Sequence, residues 1–119
     1  MAGHNKLGEK GEQAAMDHLL KKGYTILERN YRFGKSEVDI IAQINDTLAV
    51  IEVKTRSTTA FGNPQDFVKP KQIQRLVYAI NHYVTKNNLD VEVRFDIIAL
   101  VITGKTFQIE HLEDAFYHF

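Results

Sequence analysis

The sequence predicts an α/β domain, a mixed five-stranded sheet flanked by helices. Three observations carry that expectation. Residues 7–22 and 71–86 place apolar side chains at 3.6-residue spacing, as helices lying on a core do. Two apolar runs, 38–44 and 48–53, flank Asn45-Asp46-Thr47, a tight hairpin turn. A third run, 91–102, ends in the unbroken apolar stretch 97–102, as in a strand buried on both faces. The order is helix, three strands, helix, two strands, so the first three strands form a meander.

At 119 residues the chain is expected to be one domain, 1–119, large enough for a single core. No cysteine is present, which excludes disulfides and thiolate metal sites. No apolar run approaches the length of a membrane span, and the start does not read as a signal peptide. A cytoplasmic protein with no membrane partner is therefore expected. Lys plus Arg equals Asp plus Glu, 15 each. Zero net charge argues against a non-specific polyanion binder. It leaves room for a nuclease, whose metal-binding carboxylates cancel basic residues in the sum.

The first helix carries Gly8, Gly11, Glu12, Ala15, Met16 and Leu19 on one side, so Glu12 puts a carboxylate on the inward stripe. Gly8 and Gly11 permit close approach to the sheet or to a phosphate, and Gly23 ends the helix. Residues 24–30 form the first strand. Arg29, Arg32 and Lys35 then interleave with Tyr31, Phe33 and Gly34. That mixture suits nucleic-acid contact and equally suits a solvated turn with its aromatics packed inward.

Beyond the hairpin, 55–69 is a polar loop holding Ser57, Thr58, Thr59, Gly62, Asn63 and Pro64. It is long for so small a domain and is expected to move when no substrate is bound. Pro70 starts the second helix, whose core stripe is Ile73, Leu76, Val77, Ile80, Tyr83 and Val84. Lys71, Gln74, Arg75 and Tyr78 lie opposite, and a solvated face is their favoured reading. On the next strand Arg94 and Asp96 share a face, as in a structural ion pair with a neighbouring strand. Gly104 marks a turn, 106–109 a last short strand, and 111–116 a helical turn packed through Leu112 and Phe116. The five histidines lack metal-ligand spacing and read as surface or packing residues.

The chemistry concentrates at the hairpin. Period-2 alternation puts Glu37 and Asp39 on one face and Val38 and Ile40 on the other. It likewise puts Glu52 and Lys54 together, opposite Ile51 and Val53. Charges on otherwise apolar strands are disfavoured unless paired or bound to metal. One reading is a cross-strand salt bridge, for instance Lys54 with Glu37. The other is a pair of carboxylates, Asp39 and Glu52, converging on a hard cation such as Mg²⁺. Lys54 beside them would orient a water or stabilise charge on a phosphate.

Asp39…Glu52-Val53-Lys54 resembles the PD-(D/E)-x-K nuclease signature of restriction endonucleases and archaeal Holliday-junction resolvases, with Val38 where a proline often stands. A wider resemblance is to the YraN family of small bacterial proteins. It rests on Leu7-Gly8-x-x-Gly11-Glu12-x-x-Ala15, Gly23-Tyr24-x-Ile26-Leu27-x-Arg29-Asn30-Tyr31-Arg32 and Glu37-Val38-Asp39-Ile40-Ile41. Further pieces are Glu52-Val53-Lys54-Thr55-Arg56, Arg94-Phe95-Asp96 and Ala115-Phe116, so nearly the whole chain is covered.

The resemblance implies a restriction-endonuclease-like fold and metal-dependent hydrolysis of phosphodiester bonds in DNA, branched or structured DNA included. It implies Mg²⁺ or Mn²⁺ on Asp39 and Glu52, helped by the Val53 carbonyl, and catalysis by Lys54. Glu12, like the first-helix glutamate of the resolvases, and Glu37 would assist. Arg32, Arg56, Lys71 and Arg75 would grip phosphates. Gln74-x-x-x-Tyr78 falls about where recombination-type exonucleases carry Gln-x-x-x-Tyr. Analogy with enzymes that cut both strands implies a homodimer. Two rival readings stay open at this level: a nucleic-acid-binding module without catalysis, and a protein-interaction domain whose acid cluster is a structural salt-bridge network.

Overall fold

The computed structural model describes residues 6–56 and 68–115. In chain order its elements are α1 (Lys6–Lys21), β1 (Thr25–Phe33), β2 (Ser36–Ile44), β3 (Thr47–Arg56), α2 (Pro70–Lys86), β4 (Glu92–Thr103) and β5 (Thr106–Leu112). The strands form one mixed sheet in sequential order, β1-β2-β3-β4-β5. Every neighbouring pair is antiparallel except β3 and β4. That parallel pair needs a crossover, and α2 lies within it. The expected mixed five-stranded α/β fold is the one observed.

Each helix covers one face. Ala15, Met16 and Leu19 of α1 pack with Tyr24, Ile40, Ala42, Ala49, Ile51, Ile98 and Leu100. Leu76, Ala79, Ile80 and Tyr83 of α2 pack with Val38, Ile41, Leu48, Val50 and Phe95. Along β3 the alternation is clean: Ala49 and Ile51 face α1, while Leu48 and Val50 face α2. Helix α1 ends as its glycine predicts. Gly23 takes a left-handed φ of 94°, and the Tyr24 amide donates to the Leu19 carbonyl at 3.0 Å. The hairpin turn is two residues, Asn45-Asp46, with Asn45 at φ 52° and Ile44 paired to Thr47. Among the described residues no helix is long and apolar enough to cross a membrane.

Several boundaries differ from the sequence reading. β1 continues to Phe33, so Arg29, Tyr31 and Arg32 are strand residues. β3 keeps Thr55 and Arg56, because parallel pairing with β4 runs on to Arg56 and Val101. β5 reaches Leu112, so His111 and Leu112 are extended where a helical turn was expected. His111 pairs with Ile98 and bonds Asp96 through its side chain, tertiary partners that local periodicity does not report. The remaining polar stretch 57–67 and Phe116 lie outside the described residues.

One departure shapes the site. Strict alternation puts Val38 and Ile40 on the same face, yet Val38 belongs to the α2 core and Ile40 to the α1 core. The break falls at Asp39. The β1–β2 register sets Asn30 opposite it, with a left-handed φ of 50°. The β2–β3 pairing begins only at Ile40–Ile51. Beside Asp39 the two strands therefore stop bonding backbone to backbone, and a side chain enters between them.

A candidate metal centre with a cationic rim

That side chain is Asp39 itself. Its Oδ2 accepts the Val53 amide at 2.8 Å, taking the place of a ladder carbonyl. Its carboxyl lines the same cleft as that of Glu52. Glu52 stands on the α2 face of β3, 7% exposed. There Lys54 Nζ lies 3.6 Å from Glu52 Oε2. Gln72, in the first turn of α2, donates its side-chain amide to the same oxygen. Asp39, Glu52 and Lys54 thus come together on one spot, from two strands that splay apart.

Electrostatics makes the spot unusual. Burial first, then the Asp39 charge, pushes Glu52 up to about 8. Burial raises Asp39 as well, opposed by the Val53 amide, the neighbouring Glu52 carboxyl and the Lys54 charge. Glu52 is therefore the acid of the pair that keeps its proton near neutrality. Two acids, Glu52 buried and Asp39 half-buried, served by a single lysine are short of positive charge.

Glu12 approaches Asp39 from α1. Burial raises its carboxyl, and Asp39 and then Glu37 add to the rise, while Arg29 and a hydrogen bond to Asn30 oppose it. Gly11 allows this approach: a Cβ there would overlap the Thr55 hydroxyl. The close packing expected of Gly11 is therefore against the sheet.

A cleft of about 350 Å³ opens over the pair, lined by Lys35, Glu37, Asp39, Glu52, Lys69, Lys71, Gln72 and Arg75. Of the cations expected to grip phosphate, Lys71 and Arg75 line it. Arg32 and Arg56 do not. Arg32 Nε donates to Glu37 Oε2 at 2.9 Å, and Arg56 donates to the Thr55 carbonyl at 3.0 Å. Glu37 is thus at the rim, engaged by Arg32.

The sequence reading did not single out Gln72 and Lys69, and it gave Lys35 no place in the site. Gln72 had a signal. It sits four residues before Leu76, hence over the sheet, where an amide needs a polar partner.

The donor set fits a hard dication of the Mg²⁺ type. Such ions take one or two carboxylates, keep several waters and require oxygen ligands. Asp39 and Glu52 supply the carboxylates, the cleft supplies room for water, and a dication would replace the proton on Glu52. Among the described residues no group of three or more His, Cys, Asp or Glu side chains is placed to hold a metal. The described residues therefore do not form a larger all-protein cage of the Ca²⁺ or structural Zn²⁺ kind.

The second buried acid, Asp96, is different in kind. It is fully buried and receives Arg94 Nε at 2.9 Å, Arg94 Nη2 at 2.8 Å, the Asp114 amide at 3.0 Å and His111 Nε2 at 2.9 Å. Burial alone would raise its carboxyl, but these donors outweigh it and hold it below the usual range. Arg94 also bonds the Tyr24 hydroxyl, and Lys22 Nζ lies 3.2 Å from His111 Nδ1. This is a satisfied structural network, as expected for Arg94 and Asp96, with His111 as an unforeseen member.

The chain as a whole is similar to proteins of other organisms. A family model described as "Uncharacterised protein family UPF0102" matches residues 11–100. A UPF0102 protein of Christiangramia forsetii is 62% identical over 119 residues, covering both chains completely. The chain belongs to the UPF0102 family. A UPF0102 protein of Flavobacterium psychrophilum is 60% identical over the full length of both chains. One from Phocaeicola vulgatus is 50% identical over 117 residues, 98% of this chain and 97% of the relative. UPF0102 membership agrees with the YraN resemblance, and the matched span 11–100 contains Glu12, Asp39, Glu52, Lys54 and the α2 cations.

Proposed function

We propose that this UPF0102 protein is a metal-dependent endonuclease that hydrolyses phosphodiester bonds in DNA. The observation that supports this best is the Asp39–Glu52 pair: two carboxyls from adjacent strands lining one cation-rimmed cleft, Glu52 buried and Asp39 held by the Val53 amide, with Lys54 alongside. Retaining such a pair without a cation is unfavourable, and occupying it with a dication relieves the repulsion.

In this reading Asp39 and Glu52 hold Mg²⁺ or Mn²⁺. The bound ion supplies Lewis-acid activation of water and of the phosphoryl oxygens. The Val53 amide fixes Asp39, and the Gln72 amide fixes Glu52. Lys54 is left beside the reacting phosphate, where its ammonium positions the attacking water and stabilises developing negative charge. Lys35, Lys69, Lys71 and Arg75 seat the flanking phosphates. Glu37 holds a water at the rim, and Glu12 adds its carboxylate to Asp39 from the α1 side.

Cleavage of a panel of single-stranded, duplex, flap and four-way-junction DNA with Mg²⁺ and with Mn²⁺ tests the proposal. Cutting that disappears in Asp39→Asn and in Lys54→Ala supports it. No cutting of any substrate, together with no Mn²⁺ binding by calorimetry, would overturn it.

A further inference from the structure

Beside the acidic cleft lies a second one, of about 390 Å³, lined by Ser36, Lys71, Gln74, Arg75 and Tyr78. The two share Lys71 and Arg75, so one groove runs from the acid pair along α2. Residues 71, 74, 75 and 78 make a single helical stripe, at i, i+3, i+4 and i+7. Among the described residues Lys35, Lys69, Lys71 and Arg75 form no salt bridge, so the groove keeps its positive charge.

Tyr78 closes the far end and is 61% exposed, the most exposed large hydrophobic side chain described. It is nevertheless braced. Its ring sits 5.1 Å from that of Phe33 at 37°, and Phe33 lies stacked on His82 at 3.6 Å and 9°. These rings come from β1 and α2, so the platform is tied to the sheet. A braced aromatic surface in water, adjoining lysine and arginine in a groove, is the chemistry that recognises a nucleobase attached to its phosphates. Bases inside a continuous duplex have their faces covered by neighbours, so an unpaired base is the group that can use it.

The spacing is specific. Gln72, which touches Glu52, precedes Tyr78 by six residues, about 9 Å along the helix at ~1.5 Å per residue. At ~3.4 Å per stacked nucleotide that is about two to three nucleotides. We propose that Tyr78, braced by Phe33, stacks an unpaired nucleobase about two to three nucleotides from the phosphate held at Asp39 and Glu52. The site accordingly takes single-stranded or flapped DNA in preference to continuous duplex. This inference rests on the nuclease reading for the place of the phosphate, and its test is one of binding alone.

The full chain and its Tyr78→Ala, Tyr78→Leu and Tyr78→Phe variants are titrated in EDTA, where no hydrolysis occurs. The probes are a fluorescently labelled single strand and a duplex of the same sequence. The Ala and Leu variants should bind the single strand about 5- to 150-fold more weakly, as loss of one base–aromatic stack predicts. Their duplex affinity should change by less than about twofold, and Phe should retain wild-type binding on both probes. Melting curves of the variants check folding, and the exposed site makes the Leu variant safe where Ala is not. Equal weakening on both probes, a single-strand effect below twofold, or no measurable single-strand binding by the wild type overturns the inference. If no DNA is ever cut yet the selective weakening is seen, the nuclease reading falls while Tyr78 stands as a base-stacking residue.

Discussion

Glu52→Gln isolates the strain of the acid pair. Gln keeps the volume of Glu, and its carbonyl can accept from Gln72. Only ionisation is removed. In the wild type Glu52 moves from an ordinary 4.5 to about 8 on folding. A carboxyl raised in the folded state stabilises fully below its unfolded value and loses that contribution as pH climbs through the folded one. At ~1.4 kcal/mol per pH unit the window from 4.5 to about 8 corresponds to about 5 kcal/mol. The Asp39 charge bears on the same proton, so a gap of about 2–5 kcal/mol is the expectation. Lys54 keeps Asp39 as an anionic neighbour in the variant. Urea unfolding in EDTA, followed by far-UV circular dichroism because the chain lacks tryptophan, measures the gap. The two proteins should agree to about 0.5 kcal/mol near pH 4.5, and the variant should lead clearly by about pH 8.5. Mn²⁺ should close the gap, by about 2.7 kcal/mol at a hundredfold excess over Kd, through the wild type alone. Parallel pH curves, or a variant that is the weaker protein in EDTA at pH 8.5, would refute the reasoning.

Three further outcomes follow from the same geometry. Asp96→Asn strands Arg94 and His111 around a neutral group and should destabilise by about 3–5 kcal/mol in urea unfolding. Because Asp96 is held below its ordinary 3.8, the wild type should lose stability as pH falls below that value, and the variant's acid limb should be flatter. Gly11→Ala should cost about 1–3 kcal/mol in melting experiments, and adding Thr55→Ala, which removes the clashing hydroxyl, should recover most of it. Lys71→Ala and Arg75→Ala should each reduce the slope of log affinity against log salt by about 0.7–0.9 for every phosphate the side chain neutralises, with little dependence on DNA sequence.

Much of this was legible in the residues. Helical spacing found α1 and α2, the apolar runs found the hairpin and β4, and the spacing of Asp39, Glu52 and Lys54 marked the place where they meet. What stayed hidden depended on partners distant in the chain. Alternation failed at Asp39 because Asn30, in β1, takes a left-handed turn opposite it, and a period of 2 carries no information about that. β5 was cut short because the reason for extending it, His111 bonded to Asp96, joins residues 15 apart on different strands. Arg32 and Arg56 looked as useful for phosphate as Lys71 and Arg75. Only the fold shows that Arg32 serves Glu37, that Arg56 lies outside the cleft, and that Lys35 and Lys69 line it. A charge in sequence is a resource whose use is decided in space.

The two buried acids of β3 and β4 make the same point at close range. The parallel register pairs Ile51 with Asp96 and Glu52 with Ile97, so Glu52 and Asp96 occupy adjacent rungs. A strand turns successive side chains to opposite faces, which sends Asp96 toward α1 and Glu52 toward α2. On the α1 face the Arg94 guanidinium, His111 and the Asp114 amide converge on Asp96 and hold it ionised. On the α2 face the donors in reach of Glu52 are one amide and one ammonium, and the neighbouring charge that bears on it most is another acid, Asp39. Adding a cation to Asp96 would displace donors that already satisfy it. A cation at Glu52 would answer a deficit that folding leaves in place. The difference lies in what each face of the sheet supplies, since the residue types and the burial are nearly the same. That is why the structural reading of an acidic strand suits Asp96, and why the metal ion we propose is placed at Asp39 and Glu52.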